Sequence, residues 1–555
     1  MKIRKLFFYK IALLVFGISF VIAQNNPAAE TGEISWISLL PPLVSILLAL
    51  LTRQTIISLF AGIWIGVSIM EKSFFGGLTT ALDTYVVNAL SDRGHSSIIL
   101  FSLGFGGMIG IISANGGMRG IIKSASKYAK SGRSGQMSTA IMGILIFFDD
   151  YANTLLVGNM MRPFSDKLKI SREKLSYIVD STAAPVASIA VISTWSVFQM
   201  SLLTGPFQYF GITGNPYITF LKSIPYSFYC LFTLAFVFIN ISLRKEYGPM
   251  YKAQLRSRTT GAVLAAGANP MVETTLGELD LKRPPTHPSN AFIPIISVIF
   301  LTMAGLYITG VNALGPQVDH SFKNIISGSD SYAALMWSSF LTCGIAIILS
   351  VGKRLLTLQK AMEAWVTGIR SMVMAAIILV LAWTLGNVCE HIGTADYLVN
   401  LTAGILTPAI LPSITFITAA AISFSTGSSW ATMSIMVPII TPLSIQLIGL
   451  DPNLVIQTPY FIATFAAILS GATFGDHCSP ISDTTILSSM ATGADHIDHV
   501  RTQLPYAMTT GFIALLSGFV LIGFGVPLWA TLLIGLASVW AIIQFAGKTL
   551  PRTVV

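Results

Sequence analysis

Residues 147–154 read Phe-Phe-Asp-Asp-Tyr-Ala-Asn-Thr, a short polar stretch with two adjacent carboxylates inside an apolar region. Three comparable stretches follow, at 180–188 (Asp-Ser-Thr-Ala-Ala-Pro-Val-Ala-Ser), 424–430 (Phe-Ser-Thr-Gly-Ser-Ser-Trp) and 475–484 (Gly-Asp-His-Cys-Ser-Pro-Ile-Ser-Asp-Thr). A carboxylate at bilayer depth is costly unless it is paired or functional. We therefore expect these four stretches to mark the route of an ion, a proton or a substrate.

The composition of the chain predicts that most of it lies in a membrane. Of its 555 residues, 53% are hydrophobic and only 10% are charged, whereas soluble proteins carry roughly 25% charged residues. Repeated apolar runs of about 20 residues favour helices over a barrel. The sequence thus predicts an all-α polytopic membrane protein in contact with lipid.

The charge and the motifs narrow the function classes. The net charge of +9 follows the loops, so we expect no nucleic-acid partner. The sequence contains no phosphate-binding or nucleotide motif, and we expect neither ATP-driven activity nor a cofactor. The four cysteines lie in or near apolar segments without metal or disulfide spacing and are predicted to be buried thiols; they are Cys230, Cys343, Cys389 and Cys478.

The first residues have the pattern of a signal peptide. A basic Met-Lys-Ile-Arg-Lys start precedes an apolar stretch from Ile11 to Ala23 and a polar break at Gln24. This pattern predicts a cleaved signal peptide over 1–24. The alternative is a retained first helix, and in both cases Gln24 onward begins outside the cytoplasm.

Apolar runs predict the membrane spans, and residues 74–92 are more mixed and are predicted to be interfacial. Two further apolar regions, 136–195 and 412–490, contain the polar stretches. The predicted spans are 33–51, 55–71, 97–115, 222–243, 290–310, 332–351, 371–391, 505–525 and 527–546.

Basic residues predict the first half's topology. Clusters of Lys and Arg at 119–133 and 162–174 place both flanks of 134–161 in the cytoplasm. Each arm of this segment is about a dozen residues long, too short to cross a core that needs about 20. We therefore predict a re-entrant helical hairpin that turns at 149–153.

The second half carries the opposite signal. No Lys or Arg occurs between Arg370 and Arg501, so the loops in this region belong outside. A second hairpin would enter from the outside, with its tip at 425–429. The basic segment 244–289 is the expected cytoplasmic linker, and Lys548 and Arg552 place the C-terminus in the cytoplasm.

The two halves also align as a weak internal repeat. A shift of 276 residues superimposes Phe148 on Phe424, and with them the two predicted hairpin tips. A shift of 295 residues sets Pro185 against Pro480. Inverted repeats with interrupted helices are typical of secondary transporters. The predicted organisation is a first repeat over 33–243, the linker, a second inverted repeat over 290–526, and a terminal helix and tail over 527–555.

The polar stretches offer oxygen ligands. Asp149 and Asp150 are adjacent on a tip and cannot share one environment, so one could bind a cation while the other exchanges protons. The alternative is that one of them caps a half-helix. Neutral oxygens suited to sodium come from Asn153, Thr154, Ser181, Thr182, Ser425, Thr426, Ser428 and Ser429.

The fourth stretch adds a second ionisable set. Asp476 and Asp483 would face one pathway if a helix continued between them. His477 could relay protons or form a fixed hydrogen bond to Asp476. Pro185 and Pro480 would break their helices and expose carbonyls. Other candidate ligands here are Ser479, Ser482 and Thr484, and the sodium candidates are Asp150, Asn153, Asp476 and Asp483.

Two further clusters of ionisable residues are predicted to lie outside the site. Asp495, His496, Asp498 and His499 precede Arg501 and are interpreted as a solvated cytoplasmic turn. Glu390 and His391 end a span and are interpreted as interfacial.

The strings Phe148-Asp-Asp-Tyr-Ala-Asn-Thr154, Asp180-Ser-Thr-Ala-Ala-Pro185 and Phe474-Gly-Asp-His-Cys-Ser-Pro-Ile-Ser-Asp-Thr484 resemble the NhaC family of sodium/proton antiporters over residues 35–525. The resemblance implies two inverted repeats, each with a re-entrant hairpin and a broken helix, arranged as scaffold and transport domains. The family also contains relatives that exchange malate and lactate or carry amino acids.

Three hypotheses follow. The first is a sodium/proton antiporter of a bacterial inner membrane that works by alternating access. The second is a sodium- or proton-coupled carrier of a small carboxylate or amino acid. The third, an intramembrane hydrolase, lacks the context of its motifs, so we expect no enzymatic activity. A homodimer is compatible with the sequence, which does not decide it.

Overall fold

The computed structural model describes residues 35–52, 54–126, 130–270, 285–314, 325, 329–401 and 406–550. The predicted signal peptide over 1–24 lies outside the described residues. Helices dominate the described part, together with one two-stranded antiparallel sheet.

The helices of the first half begin after a 3-10 turn at Trp36–Leu39. A π-helical segment, Ala81–Val86, joins the third and fourth of them. A second 3-10 turn, Ile224–Tyr226, precedes the last of them. They are α1 (Leu40–Thr52), α2 (Thr55–Glu71), α3 (Phe74–Thr80), α4 (Val87–Ser91), α5 (Arg93–Ala114), α6 (Gly117–Ser126), α7 (Gly132–Leu145), α8 (Asp150–Lys167), α9 (Arg172–Ser181), α10 (Ala184–Ile189), α11 (Thr194–Ser201), α12 (Thr204–Tyr209), α13 (Pro216–Ser223) and α14 (Phe228–Leu243).

The remainder of the chain begins with strand β1 (Lys245–Glu246), which pairs with β2 (Lys548–Thr549) near the C-terminus. A second π-helical segment, Ala514–Val520, lies near the end. The helices are α15 (Gly248–Thr260), α16 (Ser289–Ala313), α17 (Ser331–Gly352), α18 (Leu358–His391), α19 (Thr394–Leu401), α20 (Leu411–Thr426), α21 (Ser429–Ile448), α22 (Pro452–Val455), α23 (Pro459–Cys478), α24 (Asp483–Thr492), α25 (His496–Ile513), α26 (Leu521–Gly523) and α27 (Leu528–Ala546).

Within the described residues, seven helices are long and apolar enough to cross a membrane, or ten if each bent pair forms one span. Each span predicted from the sequence overlaps helical structure, although 222–243 crosses a 46° bend before Phe228. The helices confirm the all-α polytopic class. The chain bends by 116° between α2 and the segment Phe74–Ser91. The interfacial placement of 74–92 stays a prediction.

Two predicted span boundaries were wrong. Helix α18 begins at Leu358 rather than at 371, and α25 begins at His496 rather than at 505. Charged residues such as Lys360 and Glu363 interrupt the apolar run, but they are exposed and remain compatible with a helix. Apolar runs mark the apolar section of a helix and not its polar ends.

Each polar stretch breaks a helix, and at three of the four a capping side chain starts the next helix; the helix after the 180–188 break instead has Pro185 in its first turn. Asp149 accepts a hydrogen bond from the Ala152 amide, and Ser428 accepts one from the Ala431 amide. Ser482 does the same for the amide of Thr485. Such caps satisfy amides that would otherwise be unpaired at an internal helix start.

The chain folds back on itself at the first break. The Asn153 side-chain amide in α8 donates to the Gly143 carbonyl in α7 at 2.7 Å. Ten residues of continuous helix would span about 15 Å, so α7 and α8 form a hairpin around residues 146–149.

The first arm of this hairpin runs parallel to α9. Gly135 and Gly143 of α7 lie against Ile170 and Thr182, which bracket α9 in the same order. In the second half, Gly471 and Gly475 of α23 lie against the backbone of α20.

The contacts of α20 repeat this arrangement. Its Phe416 meets Gly471, and its Phe424 meets Gly475, so α20 and α23 also run parallel. In both halves a helix that ends at a tip thus packs along a helix that ends at a break. The inverted orientation of the halves in the membrane stays a prediction.

The segment predicted as a loop, 244–289, contains the helix α15. Buried ion pairs anchor this segment: Lys174 pairs with Glu246 at 2.9 Å, and Glu173 pairs with Arg256 at 2.9 Å. Tyr506 also donates to Glu246. The linker is therefore packed against α9 and α25 over its first part, while 271–284 lie outside the described residues.

The packing of hairpin and broken helix makes a specific stability prediction. A Cβ on Gly143 would lie 2.0 Å from the Thr182 hydroxyl oxygen and 2.5 Å from its Cβ. We expect Gly143→Ala to lower the unfolding free energy by about 1–3 kcal/mol, as overpacking does. Thermal unfolding of the detergent-purified protein measures this.

The matched control is Gly132→Ala on the same helix, where the nearest neighbouring atom would be 3.5 Å away. This variant should melt close to the unmodified protein. Equal melting temperatures for the two variants would contradict the packing.

Candidate functional site

At the first tip, Asp149 has a structural role. It is the N-cap of α8, and its Oδ1 accepts from the Ala152 amide at 2.8 Å. Its Oδ2 accepts from the Thr194 hydroxyl at 3.2 Å. The capping alternative therefore describes Asp149, and its neighbour Asp150 is left with a different environment.

Asp150 is 1% exposed, and neither of its carboxylate oxygens has a hydrogen-bond partner within normal geometry. The Trp195 indole approaches this carboxylate, but its N–H also lacks a partner within normal geometry. Asn153 Oδ1 and the Thr154 hydroxyl oxygen are buried and unpartnered as well. Positions 150, 153 and 154 share one face of α8, so this face presents a set of buried oxygens.

The orientation of Asn153 is fixed by its own amide. Its Nδ2 donates to the carbonyls of Gly143, Ile146 and Thr182 at 2.7–3.1 Å. Its Oδ1 is consequently held as an acceptor. The Thr182 hydroxyl donates to the Ile178 carbonyl, so it satisfies a backbone acceptor of its own helix.

The second tip packs against the break of the second broken helix. Gly427 has φ +70°, and a Cβ there would lie 2.6 Å from the Ile481 carbonyl oxygen. A glycine is required at this turn for both reasons. Ser425 and Thr426 donate to carbonyls of α20 at 2.8 and 2.9 Å and thus satisfy their own helix.

Asp476 lies at the end of α23 and is 2% exposed. Its Oδ2 accepts from Thr484 at 3.2 Å and from Ser429 of the second tip at 3.5 Å. The residues 479–482 separate it from Asp483, which starts α24. The helix therefore does not continue between the two carboxylates, so they do not share one helical face, and the break predicted at Pro480 is present.

Asp483 instead approaches the first tip. Its Oδ2 accepts from the Tyr151 hydroxyl at 3.5 Å. Asp149, Tyr151, Thr426, Ser428 and Asp483 line one cavity of about 340 Å³, which we call the tip cavity. Apolar residues of α18 complete its wall. The structure therefore brings the two predicted hairpin tips to one cavity.

One alternative expected a hydrogen bond between His477 and Asp476, and the structure does not show it. Its Nδ1 shares a 2.6 Å hydrogen bond with the Tyr229 hydroxyl, and its Nε2 shares one of 3.2 Å with Ser181. Both ring nitrogens are thus engaged. The break carbonyls are likewise satisfied, since Asp476 O accepts from the Ser479 amide and Pro480 O pairs with His496.

Asp180 joins the two halves of the chain. It is 1% exposed, and its Oδ2 accepts from Gln503 at 2.6 Å and from Thr485 at 3.2 Å. Its Oδ1 accepts from Ser488 at 3.1 Å. His499 Nε2 lies 3.9 Å from Oδ2. This carboxylate of α9 is consequently held by α24 and α25.

The remaining predicted residues support the breaks. Ser479 donates to the Phe424 carbonyl at 2.7 Å, and Ser482 caps α24. Pro185 is the second residue of α10. A backbone N–H at this position has no acceptor within the helix, so proline removes no helical hydrogen bond there. All four cysteines are buried and free, as predicted. Within the described residues, no group of three or more His, Cys, Asp or Glu side chains could hold a metal ion.

A family model described as "Na+/H+ antiporter family" matches residues 186–524, more than half of the chain. The chain belongs to the Na+/H+ antiporter family. The match covers the second tip, Asp476 and the partners of Asp180.

Individual relatives match the chain over different lengths. An uncharacterized protein of Haemophilus influenzae is 32% identical over 497 residues, which are 88% of this chain and 91% of that protein. The arginine/ornithine antiporter ArcD of Halobacterium salinarum is 35% identical over 123 residues, 22% of this chain and 23% of that protein.

The YdaH transporter of Alcanivorax borkumensis shares the fold, with a TM-score of 0.50 and 15% identity. The alignment covers 81% of this chain and 90% of that chain. The family match and the apolar helices together make this chain a multi-pass membrane protein and a secondary transporter.

Sequence reasoning missed one residue of this candidate site. His499 was assigned to a solvated turn, but it is fully buried and bonds Ser489 and Gln503 at 2.9 Å. Positions 495–498 are the cap and first turn of α25, whereas 499 and 503 lie four residues apart on its inner face. The four-residue spacing of these two polar residues was the sequence signal that could have indicated a buried pair.

The Asp180 junction makes a testable prediction. Gln503 donates both to Asp180 and, at 2.7 Å, to the His477 carbonyl. Gln503→Leu leaves two buried acceptors short of a donor and should cost about 1–3 kcal/mol or more of unfolding free energy. Thermal unfolding in detergent measures the change.

The exposed Gln359→Leu is the control, since Gln359 bonds only the exposed Glu363. It should change stability by no more than about 0.5 kcal/mol. Equal melting temperatures for the two leucine variants would contradict the role of Gln503 at the Asp180 junction.

Proposed function

We propose that this chain is a sodium/proton antiporter that works by alternating access in a bacterial inner membrane. The single observation that carries the proposal is the buried oxygen face at Asp150, Asn153 and Thr154. The proposed orientation places the N-terminus outside and the C-terminus in the cytoplasm.

The chemistry of this face favours a cation. The carboxylate oxygens and Asn153 Oδ1 can only accept, and a hydroxyl oxygen keeps free lone pairs. Isolated acceptors of this kind are costly at bilayer depth, and sodium or a proton relieves that cost. Because the two compete for one carboxylate, binding of one displaces the other, as exchange requires.

Asp476 supports the proposal as a second carboxylate. It lies beneath the second tip, where Ser429 and Thr484 hydrogen-bond its Oδ2. The tip cavity, lined by Asp149 and Asp483, supplies a path beside both tips. In the proposed mechanism the carboxylates are loaded alternately from the two sides of the membrane.

Asp150→Asn should abolish sodium-dependent proton flux in proteoliposomes, since an amide can neither release the proton nor neutralise the cation. We expect at least a 100-fold fall, in line with the removal of a charged group that is functional by default within a membrane. The fluorescence of a pH dye inside the liposomes reports the flux.

The matched control is Asp83→Asn, at an exposed position outside the tips. It should retain the flux of the unmodified protein. Sodium-driven proton flux that survives Asp150→Asn would rule out this carboxylate as the exchange site.

A second candidate function is coupled exchange of a small carboxylate or amino acid. The observation that favours it is the size of the tip cavity, about 340 Å³, which is within the range of small-molecule sites. Hydroxyl-bearing residues of both tips line it, namely Tyr151, Thr426 and Ser428. The start of α21 at Ser429 could hold a carboxylate.

A screen of organic acids and amino acids, with and without sodium, separates the candidates. Under the second candidate, at least one solute should raise the melting temperature, because ligands stabilise the state that they bind. A sodium-coupled carrier should show this response only with sodium, and a proton-coupled one also without it. Under the first candidate, sodium alone should stabilise the protein. A uniform lack of response to every solute would remove the second candidate.

A further inference from the structure

A second cavity of about 360 Å³ shares no lining residue with the tip cavity. Helices α5, α12, α18 and α21 contribute to its wall. Its polar groups include Asp92, His95 and Glu390, and its aromatic rings include Tyr85 and Trp383. We call it the second cavity, and nothing in the proposed exchange mechanism uses it.

Two buried atoms in its wall lack hydrogen-bond partners, and both are acceptors. His95 is 6% exposed, and its Nδ1 lies 2.9 Å from the Ala89 carbonyl oxygen. A carbonyl can only accept, so Nδ1 carries the proton and Nε2 presents a lone pair. This Nε2 has no partner, and neither has Glu390 Oε1.

The ring of His95 is held in place by its neighbour. It stacks on Trp383 with centroids 3.8 Å apart and an interplanar angle of 3°. The backbone amide of His95 is also fixed, because it donates to Asp92 at 2.9 Å. The unpartnered Nε2 therefore belongs to a rigid part of the wall.

The charge of the second cavity points to the same kind of ligand. Among the described residues that line it, Asp92 and Glu390 are acidic and none is Lys or Arg. Aromatic faces such as those of Tyr85 and Trp383 attract cations as well. A volume of about 360 Å³ suits a small organic molecule better than one bare ion.

We propose that the second cavity binds a small organic cation with a primary ammonium group. The ammonium donates N–H bonds to His95 Nε2 and Glu390 Oε1, and the aromatic wall covers its carbon chain. This site is separate from the proposed exchange carboxylates and does not depend on which solute they handle.

The position of the second cavity suggests what the site does. Thr194, Phe198 and Leu202 are spaced four residues apart on α11 and its C-terminal turn, and they run from the tip cavity to the second cavity. Trp430 and Pro438 of α21 make the same connection. Phe198 packs on Trp430 with centroids 4.0 Å apart, between the cavities.

The two cavities therefore lie in line, with an aromatic layer between them. The charge pattern of the sequence predicts that the Glu390 end of α18 faces outside. A cation held in the second cavity would accordingly occupy the external approach to the tip cavity.

The test uses the full chain in detergent and two probes, butylammonium and tetramethylammonium, which lacks N–H donors. Butylammonium should raise the melting temperature with saturation, and tetramethylammonium should act only at higher concentration. Glu390→Gln should increase the half-maximal butylammonium concentration about tenfold or more, because it removes a charge-assisted hydrogen bond.

Glu363→Gln is the matched control, since Glu363 lies on the same helix at an exposed position. It should leave the butylammonium response unchanged. If Glu390→Gln does not fold, as judged by gel filtration, His95→Phe replaces it. That variant keeps a ring against Trp383 but removes the acceptor, and the same loss is expected.

Three results would overturn the proposal. The first is an equal butylammonium response in the Glu390 variant and the control. The second is equal potency of the two probes. The third is a Glu390-dependent response to sodium that butylammonium does not compete with, which would assign the cavity to a metal ion.

Discussion

The carboxylate of Asp150, buried with no hydrogen-bond partner in normal geometry, is the constraint on which the rest of the structure depends. A continuous helix could not hold it, because the preceding break is needed to place Asp149 as the cap and to leave Asp150 facing inward. Asn153 ties this break to α7 and to the end of α9 through three carbonyls. The hairpin, the broken helix and the buried acceptors thus form one unit.

The second half has the opposite distribution of carboxylates and hydroxyls. Its tip carries hydroxyls rather than carboxylates, and its acid, Asp476, lies on the broken helix below the tip. Asp180 links the halves, since its carboxylate in α9 takes donors from α24 and α25. The two halves are therefore joined through one buried carboxylate, and the proposed exchange mechanism would use this connection to couple them.

The sequence predicted the helical class, the approximate positions of nine apolar spans and the helix breaks at the four polar stretches, because apolar length and clustered polar residues are local signals. It could not predict that Asp483 would contact Tyr151, or that His477 would pair with Tyr229, because those contacts depend on how distant helices pack. The assignment of His499 to solvent failed for another reason. Its polar neighbours at 495–498 obscured the inward-facing pair 499 and 503.

Proton release on sodium binding tests the central claim most directly. A cation that displaces a proton from a shared carboxylate must liberate that proton into solution. Sodium chloride added to detergent-purified protein in weakly buffered dye solution should acidify it, whereas choline chloride should not, and Asp150→Asn should show no release. Sodium binding without proton release, or undiminished release from the variant, would contradict the account.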